Sequence, residues 1–158
     1  MSEPPVDPDI DLRVPAQRAE LRRAPWSTLA MVALGGMAGA LARYGLGLAF
    51  PHPPAGFPWV TLAVNLSGCL LIGVLMTAIT EVWSVPGWVR PLLGVGVLGG
   101  FTTFSTYVVD IGQMVIGGQA RAALAYLAAT PILALAAVWA GSAATRALSG
   151  RRGERSRL

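Results

Sequence analysis

Gly99-Gly100-Phe101-Thr102-Thr103-Phe104-Ser105-Thr106-Tyr107 sits in the middle of an apolar stretch, 88–116, long enough to cross a membrane. Paired glycines followed by four hydroxyls are an unusual content for such a segment. A backbone amide or carbonyl left unpaired in hydrocarbon costs several kcal/mol, so a helix that weakens there must turn its freed groups toward protein, water or an ion. Glycine breaks a helix at little steric cost. The run therefore predicts a helix that opens near its midpoint. Bared carbonyls at such an opening can hold a cation, while the helix N-terminus and the hydroxyls beside it suit an anion. The milder alternative is that each Ser and Thr bonds back to the carbonyl of the preceding turn. Four hydroxyls beside Gly99-Gly100 exceed what that reading comfortably covers.

Around this segment the chain is apolar throughout. Of its 158 residues 54% are hydrophobic and 13% charged, and the mean hydropathy is +0.58. Between Ser27 and Ala144 the charged residues are Arg43, Glu81, Arg90, Asp110 and Arg121. A soluble domain of this size is dominated by surface and does not carry such a balance. An all-α integral membrane protein is expected instead, with four transmembrane helices at about 28–50, 59–80, 88–116 and 121–148, each near the ~20 residues that span hydrocarbon. The Pro51, Pro53, Pro54 cluster ends the first, Glu81 and Pro86 the second, and Gly117-Gly118 the third. Trp26, Trp59, Trp83 and Trp88 fall at the expected interfaces. Residues 27–148 form one membrane domain, between a polar, proline-rich tail (1–26) expected to be disordered and a basic C-terminal tail (149–158).

All 12 basic residues are arginine, and nine lie before the first span or from Arg146 onward. With Arg90 in the second loop, they place both termini in the cytoplasm by the positive-inside rule, in a multi-pass protein of the plasma (inner) membrane. The pI near 10.2 does not indicate nucleic acid, because the arginines flank apolar spans and form no basic face interleaved with aromatics. Cys69 is the single cysteine, so no intrachain disulfide forms. An enzyme is not expected: His52 stands alone in a proline-rich loop, and no nucleophile–base pair or metal-ligand cluster is present.

Each polar residue inside a span is a functional candidate with a plainer alternative. Asn65, early in the second span, either glues two helices or offers its N–H donors to an anion. Arg43, two-thirds along the first span, either snorkels to the outer interface or lines an aqueous vestibule. Asp110 caps or salt-bridges near the outer boundary. Tyr126 and Thr130, one turn apart on the fourth span, either pack or extend a polar track, with Pro131 positioned to kink the helix. Gly35-x-x-x-Gly39 and Gly36-x-x-x-Ala40 on the first span serve close packing within the bundle or a dimer seam.

Taken together, the third-span motif, Asn65 in a Val-Asn-Leu-x-Gly context and Arg43 after a glycine-rich first span resemble the CrcB/Fluc fluoride channel family, over about residues 29–144. The resemblance implies an antiparallel, dual-topology-type dimer of four-helix subunits that passively exports fluoride and so lowers its toxicity. It implies a structural, untransported Na+ at the dimer centre, held by the backbone carbonyls of Gly99 and Thr102. It also implies a fluoride pathway past Asn65, Phe104, Tyr107, Ser105, Thr106, Tyr126 and Thr130, with Arg43 in the vestibule. Tyr107 departs from the pattern, since many relatives carry Phe there; its hydroxyl adds a donor and bulk. The arginine asymmetry departs from the balanced loops of a dual-topology homodimer and points to pairing with an oppositely oriented paralogue. The competing class, a small multidrug-resistance-type four-helix exporter, would carry an acid in its first span, where this chain has Arg43. A non-transporting scaffold subunit would have bland spans.

Overall fold

A computed structural model describes residues 26–53 and 56–155, with side chains through Ser149. The expected tails therefore lie mostly outside the described residues, although the last helix continues through Arg155. Helix α1 is Trp26–Ala49, α2 is Trp59–Thr77, α3 is the single turn Gly99–Phe101, α4 is Ser105–Ile116 and α5 is Ala120–Arg155. Wider π-type turns extend α2 over Ala78–Val82 and precede α3 over Arg90–Leu98. The four membrane-length segments are then Trp26–Ala49, Trp59–Val82, Arg90–Ile116 and Ala120–Ser149. They match the spans read from hydropathy to within a few residues.

The boundaries have local causes. Pro51 cannot continue α1, and the last backbone bond of that helix runs from Phe50 N–H to Leu46 O at 3.0 Å. Pro91 sits in the first turn of the third span, where its missing amide has no intrahelical role. The third and fourth spans reverse at Gly117-Gly118, and Gly118 adopts φ 78°, the left-handed region open to glycine. Hydropathy does not reveal these widened turns, because it does not distinguish i→i+4 from i→i+5 bonding. Trp83 N–H bonds Ala78 O across five residues at 2.7 Å.

Packing is pairwise. The first span lies along Arg90–Leu98 and Gly99–Phe101, and the second lies along the fourth. The third span changes partner at its midpoint, since Ser105–Ile116 leaves the first span and packs on α5. Glycines set both close seams. A Cβ on Gly39 would lie 2.7 Å from Phe101 N and 2.9 Å from Val97 C, and one on Gly100 would strike the backbone of Gly36. The small-residue stripe of α1 therefore serves packing within the subunit. Gly73 and Gly141 do the same between the second and fourth spans, against Val138 and Leu70. Much of the remaining apolar surface faces outward, as a lipid-embedded bundle requires; Leu41, Ile116 and Leu135 are each at least 64% exposed.

Candidate functional site

The third span does open. Its helix stops at Phe101, Thr102 is extended at φ −75°, ψ 157°, and regular α geometry resumes at Ser105. The turn is held by two side chains that divert backbone amides. In an unbroken helix Thr103 N–H would bond Gly99 O, but it donates to Asn65 Oδ1 at 2.8 Å. Thr106 N–H would likewise bond Thr102 O, but it donates to Thr103 Oγ1 at 3.2 Å, in the manner of a helix N-cap. The carbonyls of Gly99 and Thr102 thus lose their helical donors. Gly100 O accepts instead from Arg43 Nε at 3.2 Å.

Asn65 is buried and bonds the break in both directions, its amide also donating to Thr103 O at 2.9 Å. It acts as a splint between the second and third spans, leaving one N–H available to an anion. Space for Thr102 comes from α2: a Cβ on Gly68 would collide with the Thr102 methyl. This role of Gly68 has no signature in spacing alone.

Thr103, which sequence reasoning did not place in the site, is the centre of the hydroxyl cluster. Its Oγ1 donates to Thr106 Oγ1 at 3.1 Å and lies 3.3 Å from Ser105 Oγ. Accepting that bond leaves the Thr106 hydroxyl proton free for another partner. Thr102, by contrast, follows the milder alternative and bonds back to Leu98 O at 3.0 Å. The motif holds no signal that singles out Thr103, because Thr102 and Thr103 each lie three positions before another hydroxyl and neither Ser105 nor Thr106 is the Glu or Gln of a capping box.

A cavity of about 300 Å³ opens beside the break, and Arg43, Thr61, Thr103 and Thr106 contribute to its wall. Arg43 thus contributes to the wall of this cavity while its Nε bonds the opened backbone at Gly100 O. Thr61 turns its proton away from that chamber, donating to Asp110 Oδ2 at 2.6 Å, while His52 Nε2 lies 3.8 Å from Asp110 Oδ1. At the other end of the bundle Arg146 holds Glu81 by two nitrogens, at 2.7 and 2.9 Å. Both acids among the described span residues are thus partnered.

The aromatic residues divide into two environments. Phe104 is 77% exposed on the outside of the subunit. Tyr107 is buried, its ring 5.8 Å from Phe104 and edge-on to Tyr126 at 5.0 Å, and its hydroxyl donates to Leu127 O at 2.6 Å. Tyr126 is also buried, and its hydroxyl has no hydrogen-bond partner among the described residues. Thr130 Oγ1 bonds back to Tyr126 O at 2.8 Å. The structure therefore brings Arg43, Asn65, Gly99, Thr102, Ser105 and Thr106 together at the break. Tyr107, Tyr126 and Thr130 lie in the subunit's own packed core beside it.

Four membrane-length apolar spans and a third helix that opens beside a cavity define a small multi-pass membrane protein. The family model "CrcB-like protein, Camphor Resistance (CrcB)" matches residues 30–142, and the chain belongs to that family. It is 54% identical over 134 residues to "Fluoride-specific ion channel FluC 1" of Streptomyces coelicolor, covering 82% of this chain and 87% of the relative. It is 52% identical over 124 residues to "Fluoride-specific ion channel FluC 2" of Streptomyces avermitilis, covering 78% of each. A Thermobifida fusca protein named "Fluoride-specific ion channel FluC 2" is 48% identical over 132 residues, 84% of this chain and 98% of the relative. Each of these names describes an ion channel and none an enzyme.

Proposed function

We propose that this chain is a subunit of a fluoride-selective channel through which fluoride leaves the cytoplasm down its electrochemical gradient. One observation carries the reading: the break leaves the Gly99 and Thr102 carbonyls bare while gathering hydroxyl and amide donors beside an arginine-lined cavity. The names of the relatives point the same way.

Fluoride is small and holds its water tightly, so a narrow path must replace that water with donors. The free Asn65 N–H and the Thr106 and Ser105 hydroxyls supply them, and the exposed Phe104 ring offers a positive edge. Arg43 concentrates anions in the chamber without entering the narrow part. A path built from neutral donors binds weakly enough for the ion to leave again.

The bare carbonyls suit a hard cation of low charge, since unwound mid-membrane backbone is a recurrent Na+ ligand. The donor set fits Na+, with Gly99 O and Thr102 O as ligands and the same pair from a second, inverted subunit completing the shell. A bound Na+ would offset the partial negative charge of the opened backbone and tie two subunits together. Replacing sodium by a large organic cation should lower the thermal midpoint and slow fluoride efflux, because a ligand of the folded state stabilises it by mass action. Unchanged stability and flux would argue against the ion.

Phe104→Ile tests the ring contact. The side chain is exposed in the subunit, so folding should change little, whereas loss of the ring's positive edge should slow fluoride efflux several-fold. Undiminished efflux would remove Phe104 from the path.

The arginine distribution supports a fixed orientation with cytoplasmic termini and a partner subunit of opposite bias. Protease accessibility of a C-terminal tag in intact and opened cells should place it on the cytoplasmic face alone; an even split would favour a homodimer inserted both ways.

A further inference from the structure

Pro131 lies inside α5 and has no N–H. In a regular helix its amide would bond the carbonyl of Leu127, so that carbonyl is left without a donor. The neighbouring hydroxyl does not replace it, because Thr130 Oγ1 is turned to Tyr126 O. The donor comes from a different span: Tyr107 Oη–H reaches Leu127 O at 2.6 Å.

A phenylalanine at position 107 could not make this bond, and an alanine at position 131 would not need it. The tyrosine and the proline complement each other across the seam between α4 and α5.

We propose that the Tyr107 hydroxyl stands in for the amide that Pro131 lacks, and that this bond makes the hydroxyl a positioning group for the break rather than a donor to the permeating ion. The bond fixes the ring within its own subunit, 5% exposed and edge-on to Tyr126 at 5.0 Å. The ring in turn backs Phe104 at 5.8 Å, beside the first turn of α4. A hydroxyl already engaged at 2.6 Å is not free to donate to an anion. The inference rests on the reading of the chain as a fluoride channel only where efflux is the readout.

Tyr107→Phe, Pro131→Ala and the double variant, made in the full chain, form a double-mutant cycle with two readouts, thermal midpoint and initial fluoride efflux from proteoliposomes. With Pro131 in place, Tyr107→Phe should lower the midpoint by about 3 °C, the scale for losing one buried bond in a chain of this length. It should also slow efflux several-fold. In the Pro131→Ala background the helix supplies its own amide to Leu127, and both losses should shrink severalfold. Pro131→Leu restores the amide with a larger side chain and gives the same comparison if the alanine variant does not fold. Equal losses in both backgrounds would overturn the proposal, since a hydroxyl acting on the ion does not depend on Pro131. Absence of any loss in either background would overturn it as well. If the wild-type chain carries no fluoride, the functional reading fails while the thermal cycle still decides the coupling.

Discussion

Asn65→Asp should abolish fluoride conduction, reducing efflux at least about 100-fold, which corresponds to about 2.7 kcal/mol. The substitution is nearly isosteric but reverses the chemistry at one atom. Asn65 Nδ2 donates to Thr103 O at 2.9 Å, and an aspartate oxygen in its place would face that carbonyl as a second acceptor. The Thr103 carbonyl then loses its donor, at a cost of about 1–3 kcal/mol for a buried unsatisfied group. Ionisation of the new carboxylate adds several kcal/mol of desolvation in a buried site and places negative charge on the proposed fluoride path. Serving both as splint and as donor, Asn65 cannot be replaced without damage to one role. Efflux near the wild-type rate from proteoliposomes would refute the assignment.

Gly39→Leu should prevent the subunit from assembling. Its Cβ alone would lie 2.7 Å from Phe101 N, and backbone cannot move aside as a flexible side chain can. Separating the first span from the third would also pull Arg43 from Gly100 O and disturb the opening that the seam supports. Overpacking costs about 1–3 kcal/mol where neighbours can shift, and more at a backbone contact. Loss of folded protein on size-exclusion chromatography is the expected outcome. Gly45→Ala, with nothing near its Cβ, is the matched comparison and should behave as wild type. A normally folded Gly39→Leu protein would contradict the packing described here.

The spans and the position of the break are legible in the sequence because both rest on composition. Apolar length marks a membrane crossing, and Gly99-Gly100 with clustered hydroxyls marks a weakened helix. What remains hidden depends on which helix lies beside which. Asn65 could be a bond between helices or an anion ligand on spacing alone, and only its two bonds to Thr103 show that it braces the break. Thr103 is indistinguishable from Thr102 in the motif, yet Thr102 bonds back to Leu98 while Thr103 caps α4. Tyr107 reads in the motif only as a substituted ring position, and its bond to Leu127 O, the carbonyl one helical turn before Pro131, depends on a span it does not belong to. Gly68 carries no local pattern, because its reason is the methyl group of a residue on another span.

The central claim is that this chain conducts fluoride in preference to other halides through the opened third span. The most direct measurement is efflux from proteoliposomes containing the purified chain, first alone and then with an oppositely oriented paralogue, recorded with fluoride- and chloride-selective electrodes. The account predicts rapid fluoride release and negligible chloride release in at least one of the two preparations, lost in both on Asn65→Asp. Chloride release as fast as fluoride, or no fluoride release in either preparation, would contradict it.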